Sequence, residues 1–283
     1  MTLRAPSPDV SQARQKSVIA LGAETWENLL AFLKVLAFFG LILTLVPVQF
    51  AYGYLRPQDP FRIPRLFHVC LLRIFGMRLH VIGQPTGSAP VFFVANHVSY
   101  LDIPVLGSLL NAAFIAKSEV ASWPLFGFLA KMQHTVFIER RRTRAADQRT
   151  QLQTHLAQKG NLILFPEGTS TEGVDVLPFK STLFSIVEEA MEDIAVTIQP
   201  VSVTCTELDG LPLLRDQRPR YAWYGDMELI PHLWNAFKKG AFTVEVIFHM
   251  PLAASSYPDR KALAAACQAA VAEGVARALT RHM

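Results

Sequence analysis

The chain has 283 residues, 51% of them hydrophobic and only 18% charged, with a formal net charge of +4, so it is long enough to bury one large core and still keep apolar surface to spare. Its three cysteines, Cys70, Cys205 and Cys267, lie far apart in apolar settings, which excludes a disulfide framework or a cysteine metal site and reads as reduced thiols in a cytosol-facing protein. The basic residues sit beside apolar stretches instead of forming a tail, a pattern that argues against nucleic acid and for anionic lipid headgroups.

Residues 1 to 20 are polar and contain proline, and are read as a disordered start. Leu29–Phe50 is apolar over about the length of a bilayer span, interrupted by Lys34, Pro47 and Gln49. It begins too far in, and lacks the small-residue cleavage site, for a signal peptide. A turn between Arg56 and Pro60 leads to Phe61–Leu79, where Arg62, Arg65, Arg73 and Arg78 are spaced among Leu, Phe and Ile. That spacing predicts a basic amphipathic helix lying in an anionic membrane interface. The plain alternative for both segments is a hydrophobic core helix.

From Leu79 onward, short apolar runs alternate with helical periodicity. Strands are expected at Leu79–Ile82, Val91–Ala95, Ala113–Ala116, Thr135–Ile138, Asn161–Phe165, Val196–Val203 and Phe242–Phe248. Helices are expected at Asp102–Leu110, Pro124–Lys131, Thr143–Gln158, Lys180–Glu192 and Asp259–Thr280. The fold class is therefore α/β, a single mixed β-sheet flanked by helices behind an N-terminal hydrophobic, membrane-associated helical segment. The expected division is residues 1–78 for the disordered start and the N-terminal membrane-associated helices and 79–283 for the α/β domain. Tyr221–Leu233 reads as a loop-rich insertion near the site, with Asp226 and His232 as structural polar residues.

Two strings carry the chemistry. Asn96-His97-Val98-Ser99-Tyr100-Leu101-Asp102 follows the buried run Val91–Ala95, which delivers His97 to the C-terminal edge of the sheet, where open α/β sheets bind ligands. Ser99 is placed to cap the next helix and Asp102 to sit in its first turn, within reach of the imidazole. A histidine held by a carboxylate has a fixed tautomer and suits a general base. A lone pair of this kind would read as a satisfied polar residue and a helix-start charge. The second string, Phe165-Pro166-Glu167-Gly168-Thr169-Ser170, follows the strand Asn161–Phe165. Gly168 lets backbone approach a ligand closely, and Thr169 or Ser170 offers a hydroxyl. Glu167 is harder to assign beside an anionic substrate. The sequence has no Gly-x-Ser-x-Gly elbow, phosphate loop or dinucleotide glycine fingerprint, and its histidines show no metal-ligand spacing.

Taken together, Asn-His-x-Ser-x-x-Asp and Phe-Pro-Glu-Gly-Thr-Ser resemble the signature motifs of the glycerolipid acyltransferase family, which includes 1-acylglycerol-3-phosphate acyltransferase. Thr135-Val136-Phe137-Ile138-Glu139-Arg140 is similar to the family's strand ending in an acceptor-binding arginine, and Ile198-Gln199-Pro200-Val201-Ser202-Val203 to its hydrophobic-proline block. The resemblance covers roughly residues 80 to 205. Three positions before Phe137 the family usually carries Gly, where this chain has His134. That departure bears on the acceptor and leaves the catalytic pair alone.

The resemblance implies that His97 deprotonates the hydroxyl of a lysolipid for attack on an acyl thioester, with Asp102 orienting it. Arg140, Glu167, Gly168, Thr169 and Lys117 would hold the acceptor. A guanidinium at a strand end also suits bidentate phosphate binding on its own chemistry, although Arg141, Arg142 and Arg144 follow it as a solvated cluster would. The implied donor is acyl-CoA or acyl-carrier protein, with no cofactor and no metal. The implied acceptor is 1-acylglycerol-3-phosphate, with a lyso-ornithine lipid as the alternative. A non-catalytic lipid-binding protein on the same fold is the alternative from another class. The expected location is the cytoplasmic face of a membrane, the bacterial inner membrane.

Overall fold

Two helices lead into one sheet in this computed structural model, which describes residues 8–87, 90–138, 152–156, 160–184, 196–238 and 241–282. Helix α1 spans Pro8–Leu55 and α2 spans Arg62–Phe75. The start of α1 lies well before Leu29, inside the stretch expected to be disordered. No Gly or Pro interrupts residues 9–21, so nothing in that stretch stops the helix extending back to a proline that its first turn tolerates. Residues Glu24–Leu55 are long and apolar enough to cross a membrane. Leu29, Phe32, Leu33, Leu36, Phe39 and Leu43 are exposed, while Ala31, Phe38 and Gln49 are buried against the body.

Helix α2 buries Ile63, His68, Leu71, Leu72 and Phe75 and leaves Arg62, Arg65 and Arg73 exposed, as its amphipathic spacing requires. It stops short of the expected Leu79. Gly76 takes the left-handed conformation at φ 72° and donates to the last carbonyls, the usual way a helix is closed. Arg78 then enters β1.

The strands are β1 (Arg78–Ile82), β2 (Val91–Ala95), β3 (Ala112–Lys117), β4 (Val136–Ile138), β5 (Asn161–Leu164), β6 (Thr197–Leu208), β7 (Leu211–Pro212), β8 (Phe242–Phe248) and β9 (Leu252–Ala253). Further α-helices are α3 (Asp102–Leu109), α4 (Phe126–Met132), α5 (Leu229–Lys238) and α6 (Arg260–Arg281). The described strands form one mixed sheet in the order β1-β8-β6-β2-β5-β3-β4, with β7 and β9 paired to β6. Strands β6, β2, β5, β3 and β4 run parallel to one another, and β8 runs antiparallel to β6. Strand β6 extends past the expected Val203 to Leu208 because its pairing with β8 continues to Leu208↔Phe242.

Both faces of the sheet are covered, so the central strand is apolar on both sides. On β2, Val91, Phe93 and Ala95 pack toward α1, α2, α3 and α5. Phe92 and Val94 pack toward α6 and toward Leu152, Leu156 and Phe184. The helices expected over Thr143–Gln158 and Lys180–Glu192 fall within the described residues only at 152–156 and 180–184, where 152–156 and 181–184 are helical. Helix α6 is also long and apolar enough to cross a membrane, but Leu263, Cys267, Val271, Val275 and Ala278 are buried, so it is a core helix.

At the edge of β2 the ladder is prolonged by a side chain. Asn96 accepts from Val203 N and donates to Val203 O, both at 2.8 Å, and fixes the exit of β2 against β6. Asn96→Ala leaves two buried backbone groups of Val203 unpaired. The expected cost is about 2–3 kcal/mol of stability, measured by denaturant unfolding in detergent.

Candidate functional site

Parallel strands β2 and β5 release their chains at the same edge, side by side. His97 leaves β2 and Glu167 leaves β5. The imidazole Nδ1 of His97 donates to Asp102 Oδ2 at 2.9 Å, and the side chain keeps 21% exposure while Asp102 is fully buried. With Nδ1 carrying the proton, Nε2 presents a lone pair. The ring lies flat on Phe165, with centroids 4.2 Å apart, and Phe165 in turn stacks on Phe114.

The Asp102 carboxylate has four donors. Oδ2 also accepts from Val98 N at 2.7 Å and Ser99 N at 2.9 Å, and Oδ1 accepts from the Tyr221 hydroxyl at 2.9 Å. Asp102 opens α3, where the helix dipole favours a negative charge. Ser99 does not cap α3 as expected. The cap position is Leu101, without a side-chain bond, and the Ser99 hydroxyl accepts from Leu101 N at 3.3 Å. The first amides of α3, Asp102 N and Ile103 N, donate instead to the carbonyls of Ser99 and Tyr100.

Glu167 is buried, and both of its oxygens are occupied: Oε1 accepts from His97 N at 2.7 Å and Oε2 from Leu177 N at 2.9 Å. Burial pushes its carboxyl up to about 7, against the pull of these two amides. On the other side of His97, its carbonyl accepts from Thr171 N at 3.0 Å. The backbone of His97 is therefore held at both ends, by Glu167 of the second motif and by Thr171 just after it. Gly168 sits at φ 68°, a left-handed turn conformation that glycine adopts without strain. Thr169 is exposed. Lys117 is exposed at the end of β3, and the shared register of β2, β5 and β3 brings it to the level of Asn96 and Pro166. Arg140 lies outside the described residues.

The expected insertion is a strap across the site. Tyr221 reaches Asp102, Trp223 N donates to Val98 O at 3.0 Å, and the Ser170 hydroxyl donates to Trp223 O. His232 on α5 holds the strap: its Nε2 donates to Ala222 O at 3.0 Å while Nδ1 accepts from the Tyr100 hydroxyl at 2.8 Å. Burial lowers the His232 pKa, consistent with the neutral, structural role expected of it. The sequence offers no motif or spacing that marks Tyr221 and Trp223.

His134 has φ 62°. This position needs a left-handed backbone, which is reason enough for the resembling family to carry Gly there, and a histidine takes it at some strain. The departure from Gly is a matter of turn geometry and gives no reason to choose between acceptors.

Behind the site, between α1, α2, α3, α4 and β3, lies a cavity of about 230 Å³ whose lining includes Phe38, Phe67, Phe75, Ile103, Phe114 and Leu129. Phe114 joins it to the stack under His97. The cysteines are free thiols, and burial raises Cys205 and Cys267, leaving both unreactive. Among the described residues no group of His, Cys, Asp or Glu could hold a metal ion.

A model for the family described as Acyltransferase matches residues 78–204. A lyso-ornithine lipid O-acyltransferase of Brucella abortus (strain 2308) is 40% identical over 237 residues, covering 82% of this chain and 89% of that protein. A 1-acyl-sn-glycerol-3-phosphate acyltransferase of Neisseria gonorrhoeae is 33% identical over 186 residues, covering 64% of this chain and 69% of that one. The crystal structure of the 1-acyl-sn-glycerophosphate acyltransferase PlsC of Thermotoga maritima superposes with a TM-score of 0.61 at 21% identity, over 89% of this chain and 97% of that one, which establishes the fold.

Tyr221→Phe removes one donor from a buried carboxylate and changes no shape. The variant should lose about 1–3 kcal/mol of stability, read as a lowered melting temperature in detergent. Ser170→Ala, at the partly exposed end of the strap, should lose less.

Proposed function

This chain belongs to the acyltransferase family, and we propose that it transfers a fatty acyl group from a thioester to the free hydroxyl of a lyso-ornithine lipid at the cytoplasmic face of a bacterial membrane. Acyl transfer rests on one observation, the His97 ring with Nδ1 fixed by Asp102 and Nε2 left free. The acceptor rests on the comparisons, in which the lyso-ornithine enzyme of Brucella abortus is closer and covered further than the glycerophosphate enzyme of Neisseria gonorrhoeae. That order reverses the one drawn from the motifs, where 1-acylglycerol-3-phosphate came first. A non-catalytic lipid-binding protein does not fit membership of an acyltransferase family.

In the proposed mechanism, His97 Nε2 takes the proton of the lysolipid hydroxyl as its oxygen attacks the thioester carbonyl. The new C–O bond forms, the C–S bond breaks, and the imidazolium returns its proton to the leaving thiolate. Asp102 stabilises the imidazolium. Glu167 keeps the His97 backbone in place. Lys117, Gly168, Thr169 and Arg140 hold the acceptor, with Arg140 suited to the carboxylate of an ornithine head group as well as to a phosphate. The donor, acyl-CoA or acyl-carrier protein, is soluble, so the site faces the cytoplasm. The apolar cavity takes a lipid chain.

Purified protein with labelled acyl donor and a panel of acceptors tests both halves of this reading. Turnover should be greater with lyso-ornithine lipid than with 1-acylglycerol-3-phosphate, and the opposite ranking would restore the phosphatidate reading. His97→Ala should lower turnover by about a hundred- to ten-thousand-fold with the fold retained, and Asp102→Asn should change it in the same direction. Near wild-type turnover by folded His97→Ala protein would overturn the mechanism.

Helix α1 is proposed to insert in the bilayer and α2 to lie on its surface. Inserted apolar helix holds independently of salt, whereas a basic surface helix is weakened by it. The full chain should therefore stay on anionic vesicles through a high-salt wash. A chain lacking residues 1–57 should be released.

A further inference from the structure

The Asp102 carboxylate is held unevenly. Its Oδ2 takes three donors, His97 Nδ1 at 2.9 Å, Val98 N at 2.7 Å and Ser99 N at 2.9 Å. Among the described residues its Oδ1 takes one, the Tyr221 hydroxyl at 2.9 Å. A carboxylate offers about four acceptor sites over its two oxygens, so Oδ2 is fully subscribed and the far side of the group depends on Tyr221. The terminal torsion of an aspartate is soft. Tethering Oδ1 fixes the plane of the carboxylate, and with it the line from Oδ2 to the imidazole.

Tyr221 is itself fixed. Its ring meets Phe242 nearly edge to face with centroids 5.5 Å apart, its amide donates to Arg218 O at 3.0 Å, and the next carbonyl, Ala222 O, is bonded to His232. Burial, and then the charge of Asp102, push the hydroxyl well above the usual tyrosine range, so it stays a donor at every working pH. At 1% exposure the side chain is shut off from substrate. Any influence it has on the reaction passes through Asp102 to His97.

We propose that Tyr221 is a positioning residue for acyl transfer, which through its bond to Asp102 Oδ1 fixes the plane of the carboxylate and sets the basicity of His97. This rests on the acyl-transfer reading, in which His97 is the base. A hydrogen bond to a carboxylate disperses its charge, and that charge stabilises the imidazolium. Removing the donor concentrates the charge, so the imidazole holds a proton more tightly and stops acting as a base at a higher pH. A stronger donor does the opposite.

The other ionisable groups around the pair do not follow Tyr221. Glu167, at the exit of β5, is pushed up to about 7 by burial and titrates in the same range. Its oxygens are bonded to the amides of His97 and Leu177, so it contributes alike whatever stands at position 221. Burial raises the Cys205 thiol on β6 and keeps it neutral. Arg218, just before Tyr221, stays charged. His232 on α5 is kept neutral by burial and bonds to Ala222 and Tyr100, away from the carboxylate.

The test measures kcat and KM against pH for the full-length protein in detergent, with acyl thioester and lysolipid each varied in turn. Tyr221→Phe should lower kcat about tenfold while both KM values stay within about twofold. The acid limb of its kcat profile should move to higher pH by about half a unit. Site-specific 3-fluorotyrosine in place of Tyr221, whose hydroxyl is the more acidic donor, should move the limb to lower pH. Val271→Ala, which removes buried volume from α6 on the other face of the sheet, should lower stability and leave kcat and the limb unchanged. A limb that stays in place in both position-221 variants would overturn the proposal, even where kcat falls, because a merely structural tyrosine does that. If Tyr221→Phe does not fold, the fluorotyrosine variant decides alone. Absence of turnover by the wild type would count against the acyl-transfer reading instead. The His97 ring is then titrated by NMR in 13C-histidine-labelled protein, its signal identified by its loss in His97→Ala. The proposal stands if that titration moves in the same two directions and falls if it does not move.

Discussion

A carboxylate buried out of reach of water has to be surrounded by donors, and Asp102 is where this fold meets that requirement. An unpaired buried charge costs several kcal/mol, so the four bonds to Asp102 act as a condition on the surrounding chain. Two come from the amides of Val98 and Ser99, which forces the segment after β2 to curl around the carboxylate. A third, from His97, sets the tautomer of the ring. The fourth, from Tyr221, draws in a segment that is remote in sequence. The geometry that gives the imidazole a free nitrogen is thus the same geometry that satisfies the charge.

The second motif serves the first. Glu167 and Thr171 grip the amide and carbonyl of His97, and Phe165 lies under its ring. Two residues of one string, and the threonine that follows it, thereby fix one residue of the other across adjacent parallel strands. A carboxylate with both oxygens committed to backbone amides contributes rigidity, which a base needs if its nitrogen is to meet a hydroxyl repeatedly at the same place. The strap of residues 221–223 closes the arrangement by bonding to both motifs at once.

Much of this was legible in the sequence because the determining interactions are local. Strand β8 has the expected limits Phe242–Phe248, as β2 has Val91–Ala95, since a short apolar run bounded by polar residues has few other ways to be buried. His97 and Asp102 are five residues apart, close enough for their contact to be read from spacing. The contact between Tyr221 and Asp102 spans 119 residues and depends on how α5 and its His232 dock, for which no short pattern exists. The arginine spacing that marks α2 runs on to Arg78, past Gly76, the residue that closes the helix. The bonds of Glu167 are not legible either, because the position of its oxygens depends on the amides of His97 and Leu177.

Helix α1 links the membrane question to the chemistry. Its outward residues Leu33, Leu36, Phe39 and Leu43 are exposed, while Phe38, Leu45, Val46 and Gln49 form one wall of the cavity behind His97. A single helix therefore presents one apolar face outward and another to the space that borders the active edge of the sheet. For an amphiphilic substrate this is economical, because a chain leaving a bilayer along α1 would exchange one apolar surface for another without passing through water, and its desolvation would not have to be repeated. The hydrophobic effect then gives little preference for the cavity over the bilayer, since both are apolar. Selection among chains has to come from the shape of the cavity, whose wall α1 shares with α2, α3, α4 and β3.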